Sequence, residues 1–282
     1  MELNKKTILI TGSTDGVGRQ VAQRLAKSGA TVLIHGRNRV RAERLLAEIR
    51  SFGGSGTFHS ADFSSLSEVH SLAQAIQRQH ARLDVLINNA GIGTGSPGSS
   101  REISQDGYEL RFTVNYLSGF LLTRLLLPLL KKSSAARIVN VASIGQQSID
   151  FTDVMLTRNY SGKRAYCQSK LAQIMFTFDL ADELDGSGVV ANCLHPATYM
   201  DTAMVREDGI APVSSVEEGA DAILHLAAGA ETSRMSGQYF EGLLPRRANA
   251  MAYDPAARAR LRSISLELVG LPTPPPNTSI NA

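Results

Sequence analysis

Scarcity narrows the class of this 282-residue chain first. It has no tryptophan and two cysteines, Cys167 and Cys193. Two thiols cannot build a disulfide framework, so a small stapled scaffold is excluded, and the pair suits a reducing cytosol. None of the six histidines stands in His-Glu-x-x-His spacing and no cysteine pair supports zinc, so no metal is expected. Charge of one sign is scarce too: 29 basic against 26 acidic side chains leave a formal net charge of +3. So small a surplus gives no argument for nucleic acid. Residues 1–10 hold no apolar run of signal-peptide length. The most lipid-like run, 117–130, is interrupted by Arg124 and Pro128 and is shorter than a bilayer requires. The expectation is a soluble, cytoplasmic protein with no membrane anchor.

The remaining composition, with 43% hydrophobic residues, 24 Gly and 10 Pro, is that of a globular domain with a sizeable core. Short β-branched runs alternate with longer amphipathic stretches, the pattern of strand–helix–strand units. The predicted fold is α/β, a single-domain Rossmann fold with a doubly wound parallel sheet of about seven strands and helices on both faces. Strands are expected at 7–11, 31–35, 53–59, 84–87, 137–142, 189–194 and 238–241. Helices are expected at 17–28, 39–50, 67–79, from about 105 to 128, at 164–184 and at 216–228. No repeat or linker divides the chain, so residues 1–271 read as one domain with substrate loops at about 144–165 and 197–215. The proline-rich tail, 272–282, is too polar to order itself.

The first predicted strand runs into Thr11-Gly12-Ser13-Thr14-Asp15-Gly16-Val17-Gly18 and then a helix. A dinucleotide's pyrophosphate needs backbone N–H groups at a helix N-terminus and residues without a Cβ where chain and ligand approach. Gly12, Gly16 and Gly18 meet both needs. In an NAD-binding turn an acidic residue about 20 positions on accepts from the ribose. Here that region reads His35-Gly36-Arg37-Asn38-Arg39, with no acid. A guanidinium at Arg37 suits a 2′-phosphate, which favours NADP(H) over NAD(H); the alternative is a solvated basic helix start. Asp62 is placed to accept from an adenine amino group, or to form a turn before Ser64. No Gly-Lys-Ser/Thr follows the glycine turn and no Gly-x-Ser-x-Gly elbow occurs, which argues against phosphoryl transfer and hydrolysis.

Tyr166 and Lys170 stand at i and i+4, on one face of a predicted helix. Tyrosine titrates near 10, and a neighbouring ammonium moves it toward the phenolate that proton transfer at neutral pH requires. Ser143 ends the fifth predicted strand, on the edge where open parallel sheets bind ligands, and can donate to a substrate oxygen.

Taken in order, TGSTDGVG at 11–18, NNAG at 88–91, Asn115, Ser143 and YCQSK at 166–170 resemble the short-chain dehydrogenase/reductase family. The stretches YCQSKLAQIMFTFDLADEL and ANCLHPAT are most like its retinol-dehydrogenase-like and WW-domain-oxidoreductase-like branch. The resemblance implies Tyr166 as general acid–base, Lys170 on the nicotinamide ribose, Ser143 orienting the substrate oxygen and Asn115 anchoring a water beside Lys170. It implies a cofactor site at Gly12, Ser13, Thr14, Gly16, Val17, Gly18, Arg37, Asp62, Phe63, Asn89, Ala90, Gly91, Pro196 and Thr198. It suggests a homodimer or homotetramer. Two departures stand out: Ala197 follows His195-Pro196 where the family has Gly, and Tyr166 follows Ser143 by 23 positions, a wider gap than in the simplest members.

Ile149, Phe151, Val154, Met155 and Leu156 in the first loop, with Tyr199, Met200, Met204 and Val205 in the second, give these loops apolar surface to cover. A pocket for an apolar substrate, with 197–215 as a mobile lid, is one reading; packing on the core or on another subunit is the other. The leading expectation is an NADP(H)-dependent oxidoreductase acting on a small-molecule carbonyl or alcohol. The alternative is a non-catalytic dinucleotide sensor on the same fold.

Overall fold

The computed structural model describes residues 3–96 and 98–272. The predicted tail thus falls, but for Pro272, outside the described residues. The chain opens with β1 (Thr7–Ile10), α1 (Gly16–Lys27), β2 (Thr31–Gly36), α2 (Arg39–Ser51), β3 (Ser55–Ser60), α3 (Leu66–Gln79) and β4 (Val85–Asn88). Next come the short α4 (Leu110–Phe112), a π-turn at Thr113–Leu117 and α5 (Ser118–Leu130). β5 (Ala136–Val141), α6 (Gly162–Glu183), β6 (Val189–His195), α7 (Ala203–Glu207) and α8 (Val216–Ala228) follow. β7 (Tyr239–Glu241), β8 (Leu244–Arg246) and α9 (Pro255–Leu268) complete it.

The sheet order is β3-β2-β1-β4-β5-β6-β7-β8, parallel up to β7, with β8 returning antiparallel. The winding reverses between β1 and β4, and such a reversal opens a crevice beyond the carboxyl ends of those strands. Both faces are covered, as the unbroken apolar strands required. Leu9 packs into the core beneath α3, α5 and α6, while Ile8 and Ile10 face the core beneath α1, α2 and α8.

Local chemistry sets the helix ends. Asp15, Asn38, Ser65, Ser161 and Ser215 each cap a first-turn N–H with a side-chain oxygen. Gly29, at φ 89°, closes α1 by donating to the Ala26 carbonyl. Four buried polar groups tie the middle strands to their helices. The Asn88 amide donates to Asn140 Oδ1 (2.8 Å) and Thr123 Oγ1 (2.9 Å), and Asn140 donates to Thr177 (2.8 Å).

The sheet has eight strands where about seven were expected. The helix expected from about 105 begins at Leu110, and it carries on through Pro128 to Leu130. Together with the π-turn it makes 21 helical residues, longer than the apolar run suggested, and most of that stretch is buried in the core.

Candidate active site

The glycine turn sits at the β1 edge of the crevice. Gly12 has φ +63°, and a Cβ there would come within 2.8 Å of the Ala90 Cα. A Cβ on Gly18 would collide with the Gly12 carbonyl oxygen and the Asn89 amide. Both positions therefore need glycine so that α1 can start against the turn. Thr11 Oγ1 accepts from the Asn89 and Ala90 N–H groups (2.9 Å each), and Asn89 Nδ2 donates to the Thr11 and Gly12 carbonyls. The NNAG segment thus braces the turn. The first-turn N–H groups of Gly16, Val17 and Gly18 have no acceptor within α1, and only that of Gly16 meets the Asp15 carboxylate (2.8 Å). Two donors in a cradle without Cβ atoms fit a pyrophosphate.

At several expected cofactor positions the side chain is already engaged within the chain. Ser13 Oγ donates to the Ile10 carbonyl and accepts from His35 N–H; Val17 is 8% exposed and packs in the core. The Phe63 ring is buried against His35 with centroids 4.4 Å apart. Thr14 lies half-buried against Gly36, where a Cβ would sit 2.7 Å from Thr14 Oγ1.

Three arginines follow β2, and they are not equivalent. Arg41 is engaged by Asp15 (2.5 Å), and Arg39 lies over the Phe58 ring and near Glu43. Arg37 is 71% exposed, with its guanidinium 3.9 Å from Asp62. Asp62 does form a turn, accepting from Ser64 N–H (2.9 Å) through Oδ1, while Oδ2 is the oxygen near Arg37. His35 was not foreseen. Its Nδ1 accepts from Gly12 N–H (3.1 Å) and its Nε2 meets the Ala61 carbonyl (3.1 Å), which makes it a neutral strut between β1 and β3. Burial holds its pKa at about 4, consistent with that state.

On the β5 side, Ser143, Tyr166 and Lys170 converge. Ser143 follows β5 and accepts from Gly145 N–H (3.1 Å). A Cβ on Gly145 would lie 3.5 Å from both Ser143 Oγ and Tyr166 Cε1. Tyr166 is on α6, one turn before Lys170, whose Nζ lies 5.7 Å from the phenol ring centroid. Burial pushes the Tyr166 phenol above its ordinary value, opposed by its hydrogen bond with Ser143. This corrects the expected direction: within the chain alone, no net lowering of the phenol results.

Lys170 is itself shifted. Buried under β5, its Nζ donates to the Val141 carbonyl (2.9 Å) and Gln173 Oε1 (3.1 Å). Burial brings its pKa from 10.5 down to about 7, so at neutral pH it carries only part of a charge. Gln173, three residues on along α6, was missed although helical spacing points to it.

Asn115 lies in the π-turn, a local widening that recurs at functional sites. Its Oδ1 accepts from Ile92 N–H (2.7 Å) and its Nδ2 donates to the Ile92 carbonyl and Ser169 Oγ (3.1 Å each). It clasps the strap leaving β4, and Gly91 lies between it and Lys170: a Cβ there would be 3.2 Å from Asn115 Oδ1 and 3.5 Å from Lys170 Nζ.

The 197–215 segment is fastened across the crevice. Thr202 sits over Gly16, and Asp208 accepts from Thr94 N–H, Thr94 Oγ1 and Gly95 N–H. Thr198 Oγ1 meets His195 Nε2 at 3.0 Å, and Pro196 lies between them in sequence. The loop at 144–165 decides between its two readings: Ile149 and Leu156 are buried, and Phe151, Val154 and Met155 pack on the same core. Core packing accounts for this group. In the second loop, Met200 also packs on the core, and Tyr199 is exposed.

A switch-point crevice with a glycine cradle on one side and a Ser–Tyr–Lys group on the other defines a dinucleotide-binding α/β protein. The short chain dehydrogenase family matches residues 6–211, and the chain belongs to that family of nicotinamide-dependent oxidoreductases, in its retinol-dehydrogenase-like branch. It is 37% identical to human (Homo sapiens) retinol dehydrogenase 13, over 95% of this chain and 86% of the relative. To human retinol dehydrogenase 12 it is 34% identical, over 96% and 88%. Among solved structures, an uncharacterized protein from Mycobacterium paratuberculosis aligns with a TM-score of 0.78, at 29% identity, covering 97% of both chains. An Escherichia coli CFT073 chain described as a short chain dehydrogenase complexed with NADPH aligns with a TM-score of 0.71, at 29% identity, covering 86% of this chain and 98% of that one.

Proposed function

We propose that the protein interconverts a carbonyl and an alcohol on an apolar, aldehyde- or ketone-bearing small molecule, with NADP(H) as redox partner. The observation that carries this reading is the convergence of Ser143, Tyr166 and Lys170 at the end of β5, beside the crevice that the glycine turn floors. The residues fit a dinucleotide: the free N–H groups of Val17 and Gly18 for the pyrophosphate, Arg37 for a 2′-phosphate, Asp62 for the adenine edge and Lys170 for the ribose near the reacting end. Bound there, the dinucleotide supplies the hydride chemistry.

Ser143 donates its hydroxyl proton toward the substrate oxygen and fixes it near Tyr166. A phenol held above its ordinary value stays protonated at neutral pH, so Tyr166 is ready to give its proton to the oxygen of a carbonyl undergoing reduction. The part of its charge that Lys170 keeps lies beside the phenol, with Nζ 5.7 Å from the ring centroid. Asn115 keeps the Ile92 strap, and with it Gly91, seated against Lys170. The NADPH-complexed neighbour supports the phosphate-bearing cofactor, and the retinol dehydrogenase names of the relatives support an apolar substrate.

The test follows NADPH absorbance against a panel of apolar and polar carbonyls. Tyr166→Phe should lower kcat about 100-fold or more while leaving NADPH binding intact, because only the proton donor is removed. Arg37→Ala should reduce the NADPH-to-NADH efficiency ratio about tenfold, the order expected for a charge-assisted contact. Retained turnover in Tyr166→Phe removes the acid–base role, and an unchanged ratio in Arg37→Ala removes the cofactor assignment.

A further inference from the structure

The hairpin that ends the sheet is built unlike the rest of the surface. Gly242, at φ +58°, and Leu243 form the turn between β7 and β8, and five consecutive residues, Leu243-Leu244-Pro245-Arg246-Arg247, are exposed. Leu243 and Leu244 are 52% and 54% exposed, in a chain whose other leucines are mostly in the core. Among the described residues neither Arg246 nor Arg247 has a carboxylate within ion-pair distance. With Pro245 and Tyr253 they line an open groove of about 560 Å³, and Arg247 lies over the Tyr253 ring at 5.1 Å.

The hairpin adjoins the candidate site. Gly242 N–H donates to the His195 carbonyl (2.9 Å), just before the 197–215 segment begins. The Tyr239 hydroxyl donates to the Ser143 carbonyl (3.4 Å), and Asn249 N–H donates to Gln146 Oε1 (2.7 Å). Ile144, next to Ser143, is itself 53% exposed.

We infer that this hairpin docks on an anionic lipid bilayer. Adjacent apolar tips with unpaired guanidinium groups behind them are the two elements of interfacial binding: leucines enter the acyl boundary while arginines meet the headgroups. Two other occupants fit less well. β8 is the sheet edge, but Pro245 at its centre lacks the N–H that strand addition would use. A second copy of the chain would bring Arg246 and Arg247 against their like. Docking in this way would bring the Ser143 side of the crevice to the lipid surface, where apolar carbonyls concentrate. That consequence rests on the reaction proposed above; the docking itself does not.

The experiment uses the full chain with phosphatidylcholine vesicles, with and without phosphatidylserine. Because the chain has no tryptophan, Leu243→Trp installs a single indole at the tip. Its emission should move to the blue on the phosphatidylserine vesicles, and the protein should co-sediment with them less as salt is raised. At about 1 kcal/mol per basic residue, Arg246→Gln with Arg247→Gln should weaken partitioning about 30-fold. Leu243→Ser with Leu244→Ser should weaken it at least tenfold. In both double variants, turnover of a water-soluble aldehyde should stay unchanged, which separates failure of docking from failure of the proposed reaction. The inference is overturned if the wild type ignores the anionic vesicles, if both double variants partition as it does, or if the indole emission does not move. It is equally overturned if the substitutions instead abolish a dimer.

Discussion

Lys170 is placed where it weakens the fold, and that can be measured. In the unfolded chain it keeps its proton up to pH about 10.5; in the folded chain burial limits it to about 7. Between these values the unfolded state holds more protons, so stability must rise with pH through the window. A fall from 10.5 to about 7 corresponds to about 5 kcal/mol at roughly 1.4 kcal/mol per pH unit. The Val141 carbonyl and Gln173 Oε1 accept from the ammonium, and burial prevails over them. Integrated only from about pH 6 to about pH 10, the same difference amounts to about 4 kcal/mol. Lys170→Met keeps the length and apolar stem of the side chain and removes the proton site. Denaturant unfolding of both proteins without cofactor, at several values from about pH 6 to about pH 10, gives the comparison. The variant's stability relative to wild type should be highest at the acid end and fall by about 4 kcal/mol toward the alkaline end. Its catalytic turnover should be lost throughout. Stability curves that run parallel across the window would refute the buried, destabilised ammonium.

Asp84 behaves in the opposite sense. Fully buried, it accepts from Thr7 N–H (2.9 Å), Ser133 (2.8 Å), Lys6 (3.1 Å) and Arg82 (3.3 Å). Burial alone would raise its pKa, but these donors together hold it below the ordinary value. Its contribution is complete above the unfolded carboxylate's pKa and disappears as pH falls through the lower folded value, so wild type should lose stability more steeply in acid than Asp84→Asn. At neutral pH that variant should be about 2 kcal/mol less stable by denaturant titration. For assembly, α6 buries 16 of its 22 residues within one chain. α9 and the turn before it cover part of its outer side through Arg262–Asp179 (2.7 Å), Arg258–Asp182 (3.1 Å) and Phe178 against Tyr253. Subunits paired through this covered side of α6 would have to displace α9, so a dimer seen by light scattering should persist on charge reversal at exposed positions of α6; a dimer lost on that change would contradict this.

The parallel core of the fold was legible because its signals are local. The strands 7–10, 31–36 and 136–141 are short β-branched or apolar runs that need no knowledge of their partners, and capping residues mark the helices between them. β8 escaped because three residues with proline at the centre carry no period-2 pattern. α9 did carry a signal, Asp254 as cap with Pro255 at the first turn, but its arginine-rich face hides the apolar positions Leu261 and Leu266 that hold it down. The π-turn at 113–117 has no residue-level mark at all. It follows from Asn115 being held to both backbone groups of Ile92, a tertiary fact.

The same division runs through the candidate site. Residues whose chemistry is intrinsic, such as a phenol four positions before an amine or an arginine where an acid would stand, can be read from spacing. Residues that act through a neighbour cannot. His35 matters because its ring spans from Gly12 to Ala61, and Asp208 because the 197–215 segment brings it to Thr94 and Gly95, 113 or more positions away. Even for Tyr166 and Lys170, spacing predicted adjacency but not charge. The depth of Lys170 beneath β5 brings its pKa to about 7, and the burial of Tyr166 itself raises the phenol. The i, i+4 spacing therefore gives the adjacency of phenol and amine and not their protonation. A charge that opposes the burial, brought by whatever ligand enters the crevice, is needed to move the phenol back toward neutrality. Under the reaction proposed above, Tyr166 would stay protonated until a cofactor brought that charge.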